Sequence, residues 1–434
     1  MKVFAVTLGC KVNQYETQAT LSLLEKSGYQ ITESEAEGDI VVINSCTVTG
    51  VSDQKVRQTL HRARRVCPDA VIVLTGCMPQ AFPDESAALT EADIVVGNSN
   101  RALLPELIQR YLSTQQRIVE IRAHQNGDSF ETMQITDFHD RTRAFVKIED
   151  GCNRFCSYCI IPTARGRVRS KPLDVLKQEI AALDTAGYQE IVLVGINLSA
   201  YGQECGLTLC DAVDAACAFP GIARVRLGSL EPDRMDEATL QRLSIQPKLC
   251  PQFHLSLQSG CDATLKRMNR HYTSAEYAAL CKRLRELFPD CALTTDVMVG
   301  FPGENEEEFA QSLAFVEQIA FAKAHVFSYS MRPGTVAAFR TDQINPSVKE
   351  ARSHMMLEAA AKSRAAFLQT QINKTFQVLF ETACKDGSAM GYTANYTPVH
   401  VFTQQRLQNQ LLSTRIISSD GDRCTGELEK QSVV

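Results

Sequence analysis

The run Arg143-Ala144-Phe145-Val146-Lys147-Ile148-Glu149-Asp150-Gly151-Cys152-Asn153-Arg154-Phe155-Cys156-Ser157-Tyr158-Cys159 carries a strand straight into a loop with three cysteines in eight residues. Three thiolates on one loop can face a single inorganic centre. A cubane [4Fe–4S] cluster normally takes four cysteine thiolates, so three leave one iron open for another ligand. A structural zinc would want a fourth protein ligand. No nearby cysteine or histidine supplies one.

Outward from this loop the chain repeats one pattern. Further strands are expected at Ile191–Ile196, Arg224–Leu227, Phe253–Leu257, Leu293–Val299 and His325–Tyr329, with helices such as Leu173–Ala186, Ser274–Leu287 and Asn305–Ile319 between them. Six strand-plus-helix units predict a partial (β/α)6 barrel, open rather than closed eight-fold. A long helix should follow Pro346. Upstream, residues 1–125 predict a separate α/β domain with a parallel sheet covered on both faces, from near-continuous apolar strands alternating with helices. Its strands are Lys2–Gly9, Asp39–Asn44, Ala70–Thr75 and Ile94–Gly97, with a helix from about Glu16 to Lys26 and another capped by Ser52 or Asp53. His124–Arg141 loses the periodicity and reads as a linker, so the barrel domain is assigned to residues 138–371. Residues 373–434 predict a small all-β barrel, with strands at Thr375–Phe380 and Thr397–Phe402 and a turn at Lys385–Ser388.

Composition excludes several classes. The 434 residues carry 45 basic and 50 acidic side chains, and 44% are apolar, which suits a globular protein with real cores rather than a disordered or fibrous one. No apolar run reaches the ~20 residues that span a bilayer. The start, Met1-Lys2-Val3-Phe4-Ala5-Val6, is too short an apolar stretch for a signal peptide, so a cytoplasmic chain without a membrane partner is expected. In a reducing compartment, sixteen cysteines point to metal or redox chemistry for some and to buried packing for others.

A second set of cysteines is dispersed. Cys10, Cys46 and Cys77 are more than thirty residues apart, but each lies within two residues of the end of an expected parallel strand. The C-terminal edge of such a sheet is where α/β domains build their sites. Either the three thiols converge there as ligands or they are packing residues. Cys67, before Pro68, lacks this placement.

The CxxxCxxC spacing, with its aromatic Tyr158, resembles the radical S-adenosylmethionine superfamily. The resemblance narrows to its methylthiotransferases through Leu8-Gly9-Cys10-Lys11-Val12-Asn13, Asn44-Ser45-Cys46-Thr47-Val48-Thr49, Thr75-Gly76-Cys77, Glu149-Asp150-Gly151-Cys152, Ile160-Ile161-Pro162-Thr163-Ala164-Arg165-Gly166 and Thr294–Glu304. The tail, with Gly391–Tyr396, is similar to the RNA-contacting TRAM module. Lys11-Val12-Asn13 most resembles the branch acting on N6-threonylcarbamoyladenosine at tRNA position 37. Thr163 departs from the family, which carries an aromatic there. The resemblance implies two [4Fe–4S] clusters, on Cys152, Cys156 and Cys159 and on Cys10, Cys46 and Cys77. It also implies S-adenosylmethionine on the open iron of the first, cleaved there to a 5′-deoxyadenosyl radical. Sulfur on the second would be methylated and inserted at C2 of the adenosine. It further implies a tRNA anticodon stem-loop as partner and a low-potential electron donor such as flavodoxin or ferredoxin.

Cofactor contacts are expected from Tyr158 and from strand ends: Gly195 and Asn197, where the superfamily holds the cofactor's amino group, then Ser229, Glu231, Gln258 and Asp296. Each could equally be an ordinary strand terminus. His254 and His325 read as packed strand residues. No catalytic acid or base is singled out. Of the basic groups, Lys55, Arg57, Arg62, Arg64 and Arg65 read as a solvated helix face. Arg165, Arg167, Arg169 and Lys171, beside the cysteine loop, are expected to contact RNA phosphates, although the net charge of −5 argues against indiscriminate nucleic-acid binding. The rivals are the same chemistry on N6-isopentenyladenosine in tRNA or on an aspartate of a ribosomal protein, and a non-catalytic iron–sulfur RNA-binding protein.

Overall fold

The computed structural model describes residues 1–133, 135, 142–384 and 386–429. The expected domain ends at residues 138–141 and 430–434, and Lys385 of the expected turn, lie outside them.

The N-terminal unit runs β1 (Lys2–Thr7), α1 (Lys11–Lys26), β2 (Gln30–Ile31), β3 (Ile40–Ser45), α2 (Gly50–Val66), β4 (Val71–Gly76), α3 (Cys77–Ala81), α4 (Pro83–Ala87), β5 (Ile94–Val96), α5 (Leu104–Thr114) and β6 (Ile118–Glu120). These strands form one parallel sheet, ordered β2-β1-β3-β4-β5-β6. Every residue of β3 and β4 is buried, because helices cover both faces. Val42 and Val73 meet Leu24 and Leu107 on one side, and Val41 and Ile72 meet Val56 and Leu60 on the other.

Two helix starts differ from expectation. α1 begins at Lys11 rather than near Glu16, since the extended backbone of Cys10 already forms its N-cap. α2 is capped by Thr49, whose hydroxyl accepts from the Ser52 N–H at 3.2 Å, rather than by Ser52 or Asp53. Asp53 is instead held by the Thr47 hydroxyl and by Arg332 of the barrel. The short edge strands β2 and β6 have no signal in the sequence.

The second unit contains β7 (Arg143–Lys147), β8 (Glu149–Asp150), α6 (Ile161–Arg165), β9 (Arg169–Ser170), α7 (Leu173–Thr185), β10 (Glu190–Val194), α8 (Leu209–Cys217), β11 (Arg224–Leu227), β12 (Ser229–Leu230) and α9 (Glu237–Ser244). It continues through β13 (Gln252–Gln258), α10 (Asp262–Arg267), α11 (Ser274–Leu287), β14 (Ala292–Val299), α12 (Glu306–Ile319), β15 (Lys323–Ser328) and α13 (Pro346–Gln369). Parallel sheets β11-β10-β7 and β12-β13-β14-β15 meet where β11 runs into β12. Among the described residues no pairing joins β15 back to β7, so the barrel is open. Val12, Tyr15 and Ala19 of α1 share one core with Ala144, Val146 and Val192, so the first unit's helix helps close the second unit's interior.

β16 (Thr375–Ala383), β17 (Ser388–Thr393), β18 (Pro398–Phe402), β19 (Leu411–Ser419) and β20 (Cys424–Leu428) close into a barrel, ordered β16-β17-β18-β20-β19. β17, β19 and β20 escape the sequence pattern because small and polar residues dominate them. At Gly391 a Cβ would sit 2.4 Å from the Leu379 carbonyl oxygen, so only glycine fits that strand crossing. Among the described residues no helix is long and apolar enough to cross a membrane.

Candidate iron–sulfur and cofactor site

The three-cysteine loop is fixed by backbone, not by its thiols. Cys159 N–H donates to the Cys156 carbonyl at 2.9 Å, and Ser157 N–H to the Met268 carbonyl at 3.0 Å. The Ser157 hydroxyl donates to the Arg267 carbonyl at 2.8 Å, and Asn269 Nδ2 to the Phe155 carbonyl at 3.1 Å. Gly151 opens the loop at φ +89°, where a Cβ would lie 2.0 Å from the Arg167 carbonyl oxygen. Around the thiols, Arg270 donates from Nη1 to Cys156 Sγ at 3.3 Å and from Nη2 to Glu231 at 2.7 Å, while Asn197 Nδ2 lies 3.7 Å from Cys152 Sγ.

The second triad assembles where the sequence places it, at the edge of the N-terminal sheet. Cys10 caps α1, Cys46 follows β3, and Cys77 begins α3. Gly9, at φ +120°, lets the turn before α1 press on Cys46; a Cβ there would be 2.7 Å from Cys46 Cβ. Asn13 Nδ2 bridges the Leu8 and Ser45 carbonyls at 2.9 and 2.8 Å, tying two of the three cysteine turns together.

Both triads consist of free thiols. Burial pushes Cys46, Cys152 and Cys159 up to about 12, with neighbouring cysteine charges adding to the rise. Cys10 is exposed to solvent yet hemmed in by protein, and burial raises it too. Left alone, these thiols stay protonated at neutral pH; a bound cation deprotonates a coordinating thiol. Among the described residues no group of three His, Cys, Asp or Glu side chains is arranged to hold a single metal ion. A cubane spreads its thiolates over different iron atoms, so its ligand set is wider than that of one ion. Three free thiols per set, with no fourth ligand, could hold such a cluster.

Sequence-expected cofactor residues occupy the barrel's C-terminal mouth unevenly. Asn197 is buried with Oδ1 unpartnered, and Gln258 is buried at φ +68° with Oε1 unpartnered. Such an outlier at a strand end is a hallmark of functional sites. Gly195 packs against Glu149, whose Oε2 accepts from the Asn197 N–H at 2.6 Å while Oε1 has no partner. Burial raises the Glu149 carboxyl well above the usual range. These orphaned acceptors suit an incoming ammonium group. Tyr158 packs edge-on to Phe301 at 6.3 Å. Ser229 is exposed, Glu231 is taken by Arg270, and Asp296 pairs with His254 at 3.2 Å.

The expected phosphate contacts need correction. Arg165, Arg169 and Lys171 are buried, with Arg165 and Lys171 at 0% and 1% exposure. Arg165 pairs with Glu16 and Asp150, donates to Asn13 Oδ1 at 2.8 Å, and donates to Cys77 Sγ at 3.3 Å. Arg169 pairs with Asp150 and Lys171 with Glu179. Their charges balance buried carboxylates rather than face solvent. Only Arg167 is exposed, over the Phe155 ring at 4.5 Å. In the other basic group, Arg57, Arg62 and Arg64 pair with Glu85, Glu35 and Asp93.

Sequence reasoning therefore missed Arg165 as a link between the two cysteine sets, as well as Glu149 and Arg270. One signal was present: Glu16 lies on the same face of α1 as Val12 and Ala19, and a carboxylate on an apolar stripe demands a buried cation. Glu16 finds three, Arg101, Arg165 and Lys147, which hold it well below the usual carboxylate range.

The architecture is that of a radical S-adenosylmethionine enzyme with an α/β domain in front and a β-barrel behind. The Radical SAM superfamily matches residues 146–316, and the Uncharacterized protein family UPF0004 matches residues 2–97. A Threonylcarbamoyladenosine tRNA methylthiotransferase MtaB of Bacillus subtilis is 37% identical over 95% of this chain and 93% of its own. Its counterpart in Thermotoga maritima is 36% identical over 92% and 91%. A tRNA-2-methylthio-N(6)-dimethylallyladenosine synthase of Alkaliphilus oremlandii is 32% identical over 98% and 92%. In fold, the chain resembles the radical S-adenosylmethionine methyltransferase TsrM of Kitasatospora setae, solved with cobalamin and a [4Fe-4S] cluster. The TM-score is 0.58 at 16% identity, over 78% of this chain and 77% of that one. The chain belongs to the radical S-adenosylmethionine methylthiotransferases, enzymes that depend on an iron–sulfur cluster and S-adenosylmethionine.

Proposed function

We propose that this enzyme methylthiolates C2 of N6-threonylcarbamoyladenosine at position 37 in the anticodon loop of tRNA. The observation that carries this reading is the 37% identity, end to end, with a relative named for that substrate. We assign one [4Fe–4S] cluster to Cys152, Cys156 and Cys159 and a second to Cys10, Cys46 and Cys77. When bound, the clusters and S-adenosylmethionine supply a low-potential electron, a 5′-deoxyadenosyl radical and an iron site for the transferred sulfur. The chain's own part is positional. Glu149, Asn197 and Gln258 offer unpartnered acceptors to the cofactor's ammonium group, and burial of Glu149 makes that pairing tight. Arg270 fixes Cys156 and Glu231 together. Helix α6 spans the short distance from Cys159 to Arg165, and Arg165 grips the Cys77 side, so the two centres are held in one frame. The tail barrel is read as a tRNA contact, through exposed Arg406, Arg415 and Arg423 and exposed Phe402; bases stack on such an aromatic while arginines take phosphates.

Nucleoside mass spectrometry of tRNA from a strain lacking the gene tests the reading. The 2-methylthio derivative of N6-threonylcarbamoyladenosine should vanish and its precursor accumulate, with plasmid-borne enzyme restoring it. Loss of the methylthio group from dimethylallyladenosine instead would assign the enzyme to the sister substrate.

A further inference from the structure

The outer side of the three-cysteine loop carries exposed apolar groups that the fold does not use. Phe155, the residue before Cys156, is 46% exposed and sits in the left-handed region at φ +51°, a costly conformation for a bulky side chain. The exposed Arg167 guanidinium lies over its ring at 4.5 Å. A short 3-10 turn, Val336–Phe339, is tied to the same loop. Its Ala337 is fully buried, donates its N–H to the Ser157 carbonyl at 2.8 Å, and packs in one cluster with Met268, against which Tyr158 rests. Side chains three apart eclipse in such a turn. Val336 and Phe339 therefore share its outward face, where they are 70% and 79% exposed.

Charge surrounds these apolar groups unevenly. The neighbouring acids are occupied, Asp233 by Arg154, Glu308 by Arg267 and Asp342 by Arg340. Arg167 and Lys266 are exposed and, among the described residues, form no ion pair. Lys266 lies on α10, one residue before Arg267, whose carbonyl accepts from the Ser157 hydroxyl. An apolar centre with a cationic rim fits a partner whose own apolar centre is rimmed by acids.

Two features choose the partner. Phe155 is one peptide bond from Cys156, so a protein seated on this face has a direct covalent route to a ligand of the proposed cluster, and the chemistry proposed above consumes a low-potential electron. The patch is also small. Transient redox encounters bury less than about 1,200 Å², whereas RNA binding draws on many phosphate contacts, and two free cations on a chain of net charge −5 are few.

We propose that Phe155, Val336, Phe339, Arg167 and Lys266 form the docking surface for a small, acidic, one-electron carrier protein, an inference that rests on the cluster assigned above to Cys152, Cys156 and Cys159. Docking there moves one electron and no atoms. The carrier is oxidised by one electron, a flavin hydroquinone anion to its neutral semiquinone in a flavodoxin, and the loop's cluster is reduced by one. Acids of the carrier meet Arg167 and Lys266 while its apolar centre covers Phe155 and Phe339.

The test uses the full chain with both clusters reconstituted anaerobically, as wild type, Lys266→Glu, Lys266→Arg and Phe339→Ser. Three quantities are read: the Kd for an acidic flavodoxin and an acidic ferredoxin, 5′-deoxyadenosine formation driven by each reduced carrier or by dithionite, and the Kd for an anticodon stem-loop RNA. Lys266→Glu should weaken carrier binding roughly three- to tenfold at low salt, with the difference shrinking at high salt. Phe339→Ser should weaken it at either salt, and Lys266→Arg should match wild type. Cleavage driven by subsaturating carrier should fall in step, while dithionite-driven cleavage, iron content and RNA affinity stay at wild-type levels. Wild-type carrier affinity in Lys266→Glu and Phe339→Ser overturns the inference, as does a wild type that cleaves with dithionite but binds neither carrier. Weaker RNA binding with unchanged carrier binding overturns it in favour of an RNA contact, and equal losses with dithionite and carrier overturn it in favour of mere support for the loop. If iron-replete wild type cleaves no S-adenosylmethionine even with dithionite, the cluster assignment itself fails and takes this inference with it.

Discussion

The two cysteine triads, each proposed to hold a cluster, are built by opposite routes. Cys152, Cys156 and Cys159 sit on one loop, whose shape comes from bonds to residues 267–269 and from Gly151. Cys10, Cys46 and Cys77 have no shared loop; a parallel sheet brings three strand ends to one edge, and Gly9 and Asn13 close the gap between two of them. A local site survives as long as its loop does. A distributed site depends on the register of the whole domain, and on whatever locks that domain to the next.

The strongest way to break this comparison is to remove each triad in turn. Replacing Cys152, Cys156 and Cys159 by Ala should abolish 5′-deoxyadenosine formation and methylthiolation together, with one cluster's worth of iron lost; undiminished cofactor cleavage would sink the assignment. Replacing Cys10, Cys46 and Cys77 by Ala should act differently. Cofactor cleavage should persist, because the loop's cluster is untouched, while the methylthio product disappears. Were those three thiols only packing residues, a smaller side chain would destabilise the domain modestly and lower both activities in parallel. Liquid chromatography of the two products separates these outcomes.

The same contrast explains what the sequence revealed. The loop triad is legible as spacing alone, since its ligands lie within eight residues. The dispersed triad is legible only after the strands are placed, and it is legible then because β1, β3 and β4 are apolar enough to be found. Arg165 was misread for a related reason. Its position beside the loop suggests an RNA contact, but nothing local reports that α6 is pressed against α3, with Ile160 and Ala164 packed on Cys77 and Ala81. Burial is a property of the assembled interface, and so is the fate of a charge placed there. Lys171 and Arg169 were misread with it. The tail barrel is half legible: Thr375–Phe380 and Thr397–Phe402 are apolar enough to read as strands, while the polar β19 and β20 acquire their pairing only when the barrel closes.

A smaller effect should come from the lock between the triads. Arg165→Met leaves Glu16 and Asp150 buried with one cation fewer, and breaking a buried pair in this way costs about 3–5 kcal/mol. Urea unfolding at neutral pH measures it. The pH dependence carries the sign. Lys147 and Arg165 hold Asp150 well below the usual carboxylate range, and the cations around Glu16 do the same there. Their contribution is complete above the ordinary carboxylate value of about 4 and is lost as pH falls below it. In Arg165→Met the depression is weaker, so stability should rise less than in wild type between roughly pH 2 and pH 5. Equal slopes would mean that Arg101 and Lys147 suffice without Arg165.

The smallest effect, and the sharpest on the distributed site, comes from two glycines of the same unit. Gly28, after α1, has φ +89° and open space around its would-be Cβ, whereas Gly9 has φ +120° and the side chain of Cys46 2.7 Å away. In Gly28→Ala only the backbone penalty for a left-handed L-residue remains, roughly 1–2 kcal/mol. Gly9→Ala carries a comparable backbone strain and must in addition push Cys46 aside. The two variants should therefore unfold at similar urea concentrations, within about 1–2 kcal/mol of each other, yet differ in iron. Gly28→Ala should take up the wild-type amount after anaerobic reconstitution, and Gly9→Ala should lose the share bound by Cys10, Cys46 and Cys77 while still cleaving S-adenosylmethionine. Full iron in Gly9→Ala would mean that the sheet edge has slack enough to move Cys46 and keep its cluster. The dispersed triad would then be as tolerant as the loop, against the expectation that a site built from three separate turns depends on each close approach between them.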